Sequence, residues 1–149
     1  MSTTRPDAVA AWEALFRAQV VVLRVLAAEH IWDELSLHEY DVLFNLSRAP
    51  QRRLPLHALN RQVLLTQSSV SRLVDRLGAR DLVRREPDPN DRRSTVVALT
   101  DQGAALQRTV GARHAASIRR RLGAALTPAE LAQLTRLAET LRHAVESQP

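Results

Sequence analysis

From Thr66 the chain reads Thr66-Gln67-Ser68-Ser69-Val70-Ser71-Arg72-Leu73-Val74-Asp75-Arg76-Leu77, a run whose polar residues could hydrogen-bond to nucleic acid. Val70, Leu73, Val74 and Leu77 recur at i, i+3, i+4 and i+7, which puts them on one stripe of an α-helix. The other face then carries Gln67, Ser68, Ser69, Ser71, Arg72, Asp75 and Arg76. Short hydroxyls early in a helix permit close approach to base edges and phosphates, and an arginine can grip guanine bidentately. Thr66 suits the N-cap, since its hydroxyl can accept an N–H that the first turn leaves unpaired. Taken alone, the pattern fits a solvated amphipathic helix equally well.

The residues after Leu77 narrow the choice. Leu82-Val83-Arg84-Arg85-Glu86 and Thr95-Val96-Val97-Ala98-Leu99 are strand-like runs. They flank Pro87-Asp88-Pro89-Asn90-Asp91-Arg92-Arg93-Ser94, a stretch of turn formers with two arginines. Two strands joined by a protruding basic loop, directly after such a helix, make a winged helix-turn-helix. Asp88-Pro89-Asn90-Asp91-Arg92-Arg93, followed by Val97-Ala98-Leu99-Thr100 and Gly103, resembles the wing signature of the MarR family of transcriptional regulators. The run from Ser69 to Leu77 is similar to that family's recognition helix.

A chain of 149 residues suits one domain with a real core. No stretch of about 18 apolar residues and no signal-peptide pattern occurs, so the sequence reads as cytoplasmic, with no membrane partner. Without cysteine there are no disulfides and no thiol redox chemistry, and a structural zinc site is disfavoured. The histidines at 30, 38, 57, 114 and 143 show no metal-ligand spacing. Neither a nucleophile–base arrangement nor a glycine-rich phosphate loop is visible, so no enzyme, metal or cofactor is expected. Charge is unevenly placed: residues 48–93 carry a net +6 and the remainder −1, so the whole excess of +5 lies over the candidate reading head. A phosphate-binding surface needs such a concentration.

The other elements must position that head. Residues 1–6 read as a disordered start. From Asp7 to about Asp33 a helix is expected, apolar over more than one stripe and therefore buried against more than its own domain. Ser36-Leu37-His38-Glu39 is a capping-box pattern opening a helix to about Leu46, with Tyr40, Leu43 and Phe44 inward. Gln51 to Pro55 read as a basic connection, Leu56 to Val63 as the first helix of the helix-turn-helix, and Leu64-Leu65 as its turn. After Thr100 a long helix is expected to about Leu122, with Gly111 allowing a bend or close packing and Gly123 as its stop. Thr127-Pro128-Ala129-Glu130 opens a last helix to about Val145. The fold class is thus mainly α with a small β-hairpin wing.

The resemblance implies more. Regions 7–33 and 104–146 would form a helical dimerisation region and 36–100 the winged helix-turn-helix, together one intertwined domain. A homodimer would set two recognition helices into successive major grooves of double-stranded DNA, on a pseudo-palindromic operator. Ser68, Ser69, Ser71, Arg72 and Arg76 would face the groove, with Gln67 near the backbone. Arg92 and Arg93 would form the wing tip, one of them entering the minor groove, and Asp91 would orient Arg93. Arg52, Arg53 and Arg61 are candidates for phosphate contact or for solvated charge. The family usually has glycine where Leu64 and Asp81 stand, a departure that bears on turn geometry. The family also implies repression relieved by a small phenolic or carboxylate effector held between reading head and dimer helices. Arg17, Arg24, Trp32 and His38 are the candidates here; core packing for Trp32, capping for His38 and inter-subunit salt bridges for the arginines are the alternatives. A ligand-independent regulator and a winged-helix protein-interaction module remain the rival functions.

Overall fold

In the computed structural model, residues 7–32, 35–63 and 65–148 are described. The irregular start over residues 1–6, Asp33 at the expected end of the first helix, and Leu64 lie outside them. The chain divides into two compact units, Met1–Ala112 and Arg113–Pro149.

The first unit opens with α1 (Ala8–Ala27), whose N-cap Asp7 accepts the Val9 N–H at 3.1 Å. It ends well before Asp33. The Ala28 N–H turns back to the Arg24 and Leu26 carbonyls, and the Trp32 indole N–H donates to the Leu26 carbonyl at 2.9 Å. A buried indole needs such a partner, and meeting it folds the chain back on itself. Only Leu26 of α1 is buried, leaving Val9, Trp12, Phe16 and Val21 exposed.

Helix α2 (Leu37–Arg48) begins with the expected capping box: Ser36 Oγ accepts the Glu39 N–H at 3.1 Å, and Glu39 Oε2 accepts the Ser36 N–H at 3.0 Å. Tyr40 and Leu43 are buried and Phe44 is partly so, joined by Val42 and Leu46. The 3-10 turn Pro50–Arg52 leads into β1 (Arg53–Pro55), a strand where the sequence suggests only a connection. It pairs antiparallel with β3 through Arg53↔Ala98, Leu54↔Val97 and Pro55↔Val96. Proline fits there because β1 is an edge strand, which can spare a ladder N–H.

Helix α3 (Leu56–Gln62) buries Leu59. Helix α4 (Gln67–Ala79) buries the whole predicted stripe of Val70, Leu73, Val74 and Leu77. Each such side chain removed from water contributes roughly 1.5–3 kcal/mol, which anchors the helix by that face.

Strands β2 (Val83–Asp88) and β3 (Asp91–Leu99) form the wing hairpin, and the sheet order is β1-β3-β2. The strands reach further than their apolar runs suggest. Only Pro89 and Asn90 turn the chain, with Asp88 Oδ1 accepting the Asn90 N–H at 2.9 Å. Arg92 and Arg93 therefore belong to strand β3 rather than to a loop. A register slip at Pro87/Asp88 accommodates the proline, which has no N–H to offer the ladder.

Helix α5 (Asp101–Ala125) follows at once and belongs to both units. Within the first unit, Ala104 and Val110 join the core, and a Cβ on Gly111 would come within 3.0 Å of the Tyr40 hydroxyl. Gly111 supplies close packing at this point. The helix runs through Gly123, the expected stop, to Ala125; one glycine costs about 1 kcal/mol relative to alanine and does not by itself end a helix. In the second unit, α6 (Pro128–Glu146) starts with the Thr127/Glu130 capping box and leaves Leu134, Leu137, Leu141 and Val145 exposed. No helix among the described residues is long and apolar enough to cross a membrane.

Candidate nucleic-acid interface

The centre of the site is the face of α4 opposite its buried stripe. Thr66 caps the helix, accepting the Ser69 N–H at 3.2 Å. Its own hydroxyl donates to Ser69 Oγ at 2.8 Å, so the Ser69 side chain is engaged in the cap. Gln67 and Ser68 are exposed beside it, and an open groove of about 540 Å³ runs past Leu56, Thr66, Gln67, Ser68 and Ser71. Arg72 stands one turn on, exposed and without a hydrogen-bond or ion-pair partner among the described residues.

The two flanks of this face are tied down. On one side, Arg85 from β2 puts its Nη2 nitrogen 2.9 Å from Asp75 Oδ1, 2.9 Å from Ser71 Oγ and 3.0 Å from the Ser71 carbonyl. This accounts for an oddity of the sequence, a carboxylate on a face expected to meet DNA: Asp75 is compensated from the wing. On the other side, Glu39 lies 3.5 Å from Arg76 Nε and 3.9 Å from Arg80. Glu39 thus serves the α2 capping box and holds the far end of α4. The Arg76 side chain stays largely exposed beyond that contact.

On the wing, Arg92 and Arg93 are exposed and have no ion-pair partner among the described residues. Asp91 Oδ1 accepts the backbone N–H of Arg93 at 2.9 Å, so the carboxylate fixes the main chain of Arg93 rather than its guanidinium. Of the outlying arginines, Arg61 is exposed on α3 without such a partner among the described residues. Arg52 pairs with Asp101 at 3.1 Å and Arg53 with Glu86 at 2.8 Å. Gln51 and Arg52 adopt φ of 54° and 56°, a left-handed pair just before β1. Asp81 takes φ 57°, the conformation that a glycine there would supply, so the fold keeps its geometry despite the substitution.

The four effector candidates differ in their surroundings. Trp32 is buried, tilted 5.6 Å from the Tyr40 ring, with its N–H on the Leu26 carbonyl. Arg17 and Arg24 are exposed along α1, and His38 is exposed in the first turn of α2. His38 lies near Asp41, whose carboxyl is held above its usual pKa by burial, with the histidine charge and the Asn45 amide pulling the other way. No hydrogen bond or ion pair among the described residues joins these arginines to Trp32 or His38.

Sequence reasoning missed Arg85 and Glu39. Arg85 sits beside Arg84 in a strand, where alternate residues face opposite sides, and only the register decides which of them meets α4. Glu39 was legible as a cap and not as a partner of Arg76.

Comparison with known proteins agrees with this geometry. A profile of the MarR family matches residues 34–94. The HTH-type transcriptional regulator PecS of Dickeya dadantii is 35% identical over 102 residues, 67% of this chain and 61% of PecS. This chain spans less than two thirds of the length of the curated relatives it matches. Among solved structures, AbsC, a MarR family transcriptional regulator from Streptomyces coelicolor, superposes with a TM-score of 0.78 at 26% identity, covering 98% of this chain and 100% of that one. Sco3205, a MarR family regulator from the same organism solved in complex with DNA, gives 0.78 at 27% identity, covering 97% and 95%. These superpositions take in the capped reading helix, the wing and the flanking helices alike, and the chain belongs to the MarR family of transcriptional regulators.

Proposed function

We propose that the protein is a sequence-specific DNA-binding transcriptional regulator, a homodimeric repressor on a pseudo-palindromic operator. The observation that carries this reading is the exposed face of α4. Ser68 and Arg72 are open to solvent there, while the hairpin beside them offers Arg92 and Arg93. Hydroxyls and an uncommitted guanidinium suit base edges, and a basic hairpin suits the phosphate-lined minor groove.

Dimerisation through regions 7–33 and 104–146 is supported by what α1 and α6 leave uncovered. Trp12 is 60% exposed on one and Leu137 49% on the other, each within a row of apolar neighbours. Monomeric proteins rarely present such rows to water. Two copies would place their reading helices about one helical turn of DNA apart. Release by a small anionic aromatic ligand rests on the family and on Arg17 and Arg24, cations open to a carboxylate; such a ligand acts only by binding the two states of the dimer unequally.

The test is a gel-shift titration against the intergenic DNA beside the protein's own gene, at two salt concentrations. The expected result is tight, salt-sensitive binding to one site, well beyond that to scrambled DNA. Equal, weak binding to both duplexes would overturn the reading for that locus. Failure to select any preferred sequence from a random duplex pool would overturn it altogether.

A further inference from the structure

We infer that Arg85 is a positioning residue for sequence reading: by taking one lone pair of the Ser71 hydroxyl it biases that hydroxyl toward donating its proton to a base-edge acceptor in the major groove. The inference deepens the DNA-reading assignment and rests on it.

Protons and lone pairs can be counted at this point of the structure. Arg85 Nη2 carries two hydrogens and no lone pair to share. Three acceptors surround it, namely Asp75 Oδ1, Ser71 Oγ and the Ser71 carbonyl, at 2.9, 2.9 and 3.0 Å, so one of the two hydrogens is shared between two acceptors. A serine hydroxyl has one proton and two lone pairs. Arg85 occupies one of the two lone pairs, so the capacity of Ser71 to accept from outside is halved while its capacity to donate is whole. Its single proton has no acceptor among the described residues. Ser71 also lines the open groove with Ser68 and Gln67, where a duplex would have to enter. The hydroxyl is thus left with a proton to give and a fixed place from which to give it.

That polarity selects among bases. In the major groove guanine offers N7 and O6, adenine N7 and thymine O4 as acceptors, whereas the cytosine N4 and adenine N6 groups are donors. The pair facing Ser71 should therefore be read by an acceptor, with a cytosine amine disfavoured. Asp75 completes the device: its carboxylate keeps the guanidinium over Ser71, and the guanidinium in turn offsets the negative charge that would repel phosphate. Lysine could neutralise Asp75, but its shorter stem ends one bond short of the place from which Nη2 reaches all three acceptors.

The experiment selects duplexes from a random-sequence pool with the full chain and with Ser71→Ala, Arg85→Lys, Asp75→Asn and the Ser71→Ala/Arg85→Lys double variant. Binding constants for the selected site are then measured. The wild type is expected to prefer an acceptor at one base pair in each half-site, and to lose roughly tenfold when that acceptor is removed by a 7-deazapurine or by exchange to cytosine. Ser71→Ala and Arg85→Lys should each abolish that one preference and leave the others intact. The double variant should bind like Ser71→Ala alone, because the arginine acts through the serine. Asp75→Asn should weaken the same preference, and it serves in place of Arg85→Lys if that variant does not fold. Additive losses would overturn the inference. So would uniform weakening on all duplexes with a shallower salt dependence, which would make Arg85 a phosphate contact. A wild type that selects nothing would instead remove the DNA-reading assignment itself, and this inference with it.

Discussion

Thr100 donates its hydroxyl proton to the main-chain carbonyl of Asp81 at 2.6 Å, across 19 residues of sequence. The same oxygen accepts the Gly103 N–H at 3.0 Å, and the Thr100 N–H reaches the Leu82 carbonyl at 3.1 Å. The exit of the recognition helix, the root of the wing and the first turn of α5 therefore meet on one side chain. Gly103 is part of this joint, since a Cβ there would overlap the Leu82 carbonyl oxygen. The Thr100 and Gly103 of the wing signature thus have a mechanical meaning: they fix where α4 ends relative to where the hairpin begins.

Replacing Thr100 with valine keeps the shape and removes the hydroxyl, leaving the Gly103 N–H and the Asp81 carbonyl without that partner. The expected loss is about 1–2 kcal/mol, the usual cost of a missing cap and an unmade hydrogen bond. Thr100→Ser should recover most of it. Urea unfolding midpoints at constant slope are the measurement, and an unchanged midpoint for Thr100→Val would refute the role of the joint.

Asp81 holds φ 57° without being glycine. Asp81→Gly removes the steric cost of the left-handed conformation and keeps the carbonyl that Thr100 needs. Stability should rise by about 0.5–1 kcal/mol, the left-handed penalty less the greater chain entropy of glycine in the unfolded state. Thermal denaturation reads this directly; Asp81→Val, β-branched at positive φ, should move it the other way.

What could be read from the sequence was local. The stripe of Val70, Leu73, Val74 and Leu77, the Thr66 cap and the Ser36/Glu39 and Thr127/Glu130 boxes depend on neighbours three or four residues apart, so they were legible. Strand β1 was not, because Arg53–Pro55 is a strand only by virtue of Val96–Ala98 far along the chain. The end of α1 depended on an indole reaching back to Leu26, and the short wing turn on pairing that carries charged residues into the ladder. At the site, the residue types of the reading face followed from helical spacing. Which of them were restrained did not, since Arg85 and Glu39 arrive from other elements.

Asp41 supplies a pH dependence. Burial raises its pKa above 3.8, so the folded state holds the proton more tightly than the unfolded chain. For a raised carboxyl the sign is unfavourable at neutral pH: the penalty is complete above the folded pKa and vanishes as pH falls below the unfolded value. Asp41→Asn should therefore stabilise the protein at pH 7, and the difference from wild type should shrink as pH drops toward 3.8. Chemical denaturation at three pH values checks the trend; a gain that grows on acidification would contradict it.

The arginines of helix and wing should fail in different ways. Arg72→Ala removes an unpaired guanidinium from the reading face and should cost about 1–3 kcal/mol on the operator with little effect on random DNA. Arg92→Ala and Arg93→Ala should weaken binding to all duplexes and each lower the salt slope by about 1, one phosphate neutralisation fewer. Titrations at several salt concentrations separate the two behaviours. Arg76→Ala should fall between them and also lower stability slightly, because Arg76 is shared with Glu39.

The apolar rows on α1 and α6 make the last prediction. Trp12 and Phe16 lie with ring centroids 6.0 Å apart on α1, a tilted aromatic pair facing water. An isolated chain would gain by covering such a pair, at roughly 25 cal/mol for each Å² of apolar area removed from water. Trp12→Glu places a charge that a buried interface cannot solvate, and Leu137→Glu does the same on α6. Analytical ultracentrifugation should find the wild type dimeric and both variants shifted toward monomer. Operator affinity should fall steeply with them, since a half-site held by one reading helix loses the second helix's contribution. The core of the first unit lies elsewhere, around α2, α3, α4 and the sheet, so Trp12→Glu should leave the helical circular-dichroism signal of a folded protein. Wild-type protein sedimenting as a monomer at micromolar concentration would refute the homodimer and leave the single reading head to account for any DNA binding.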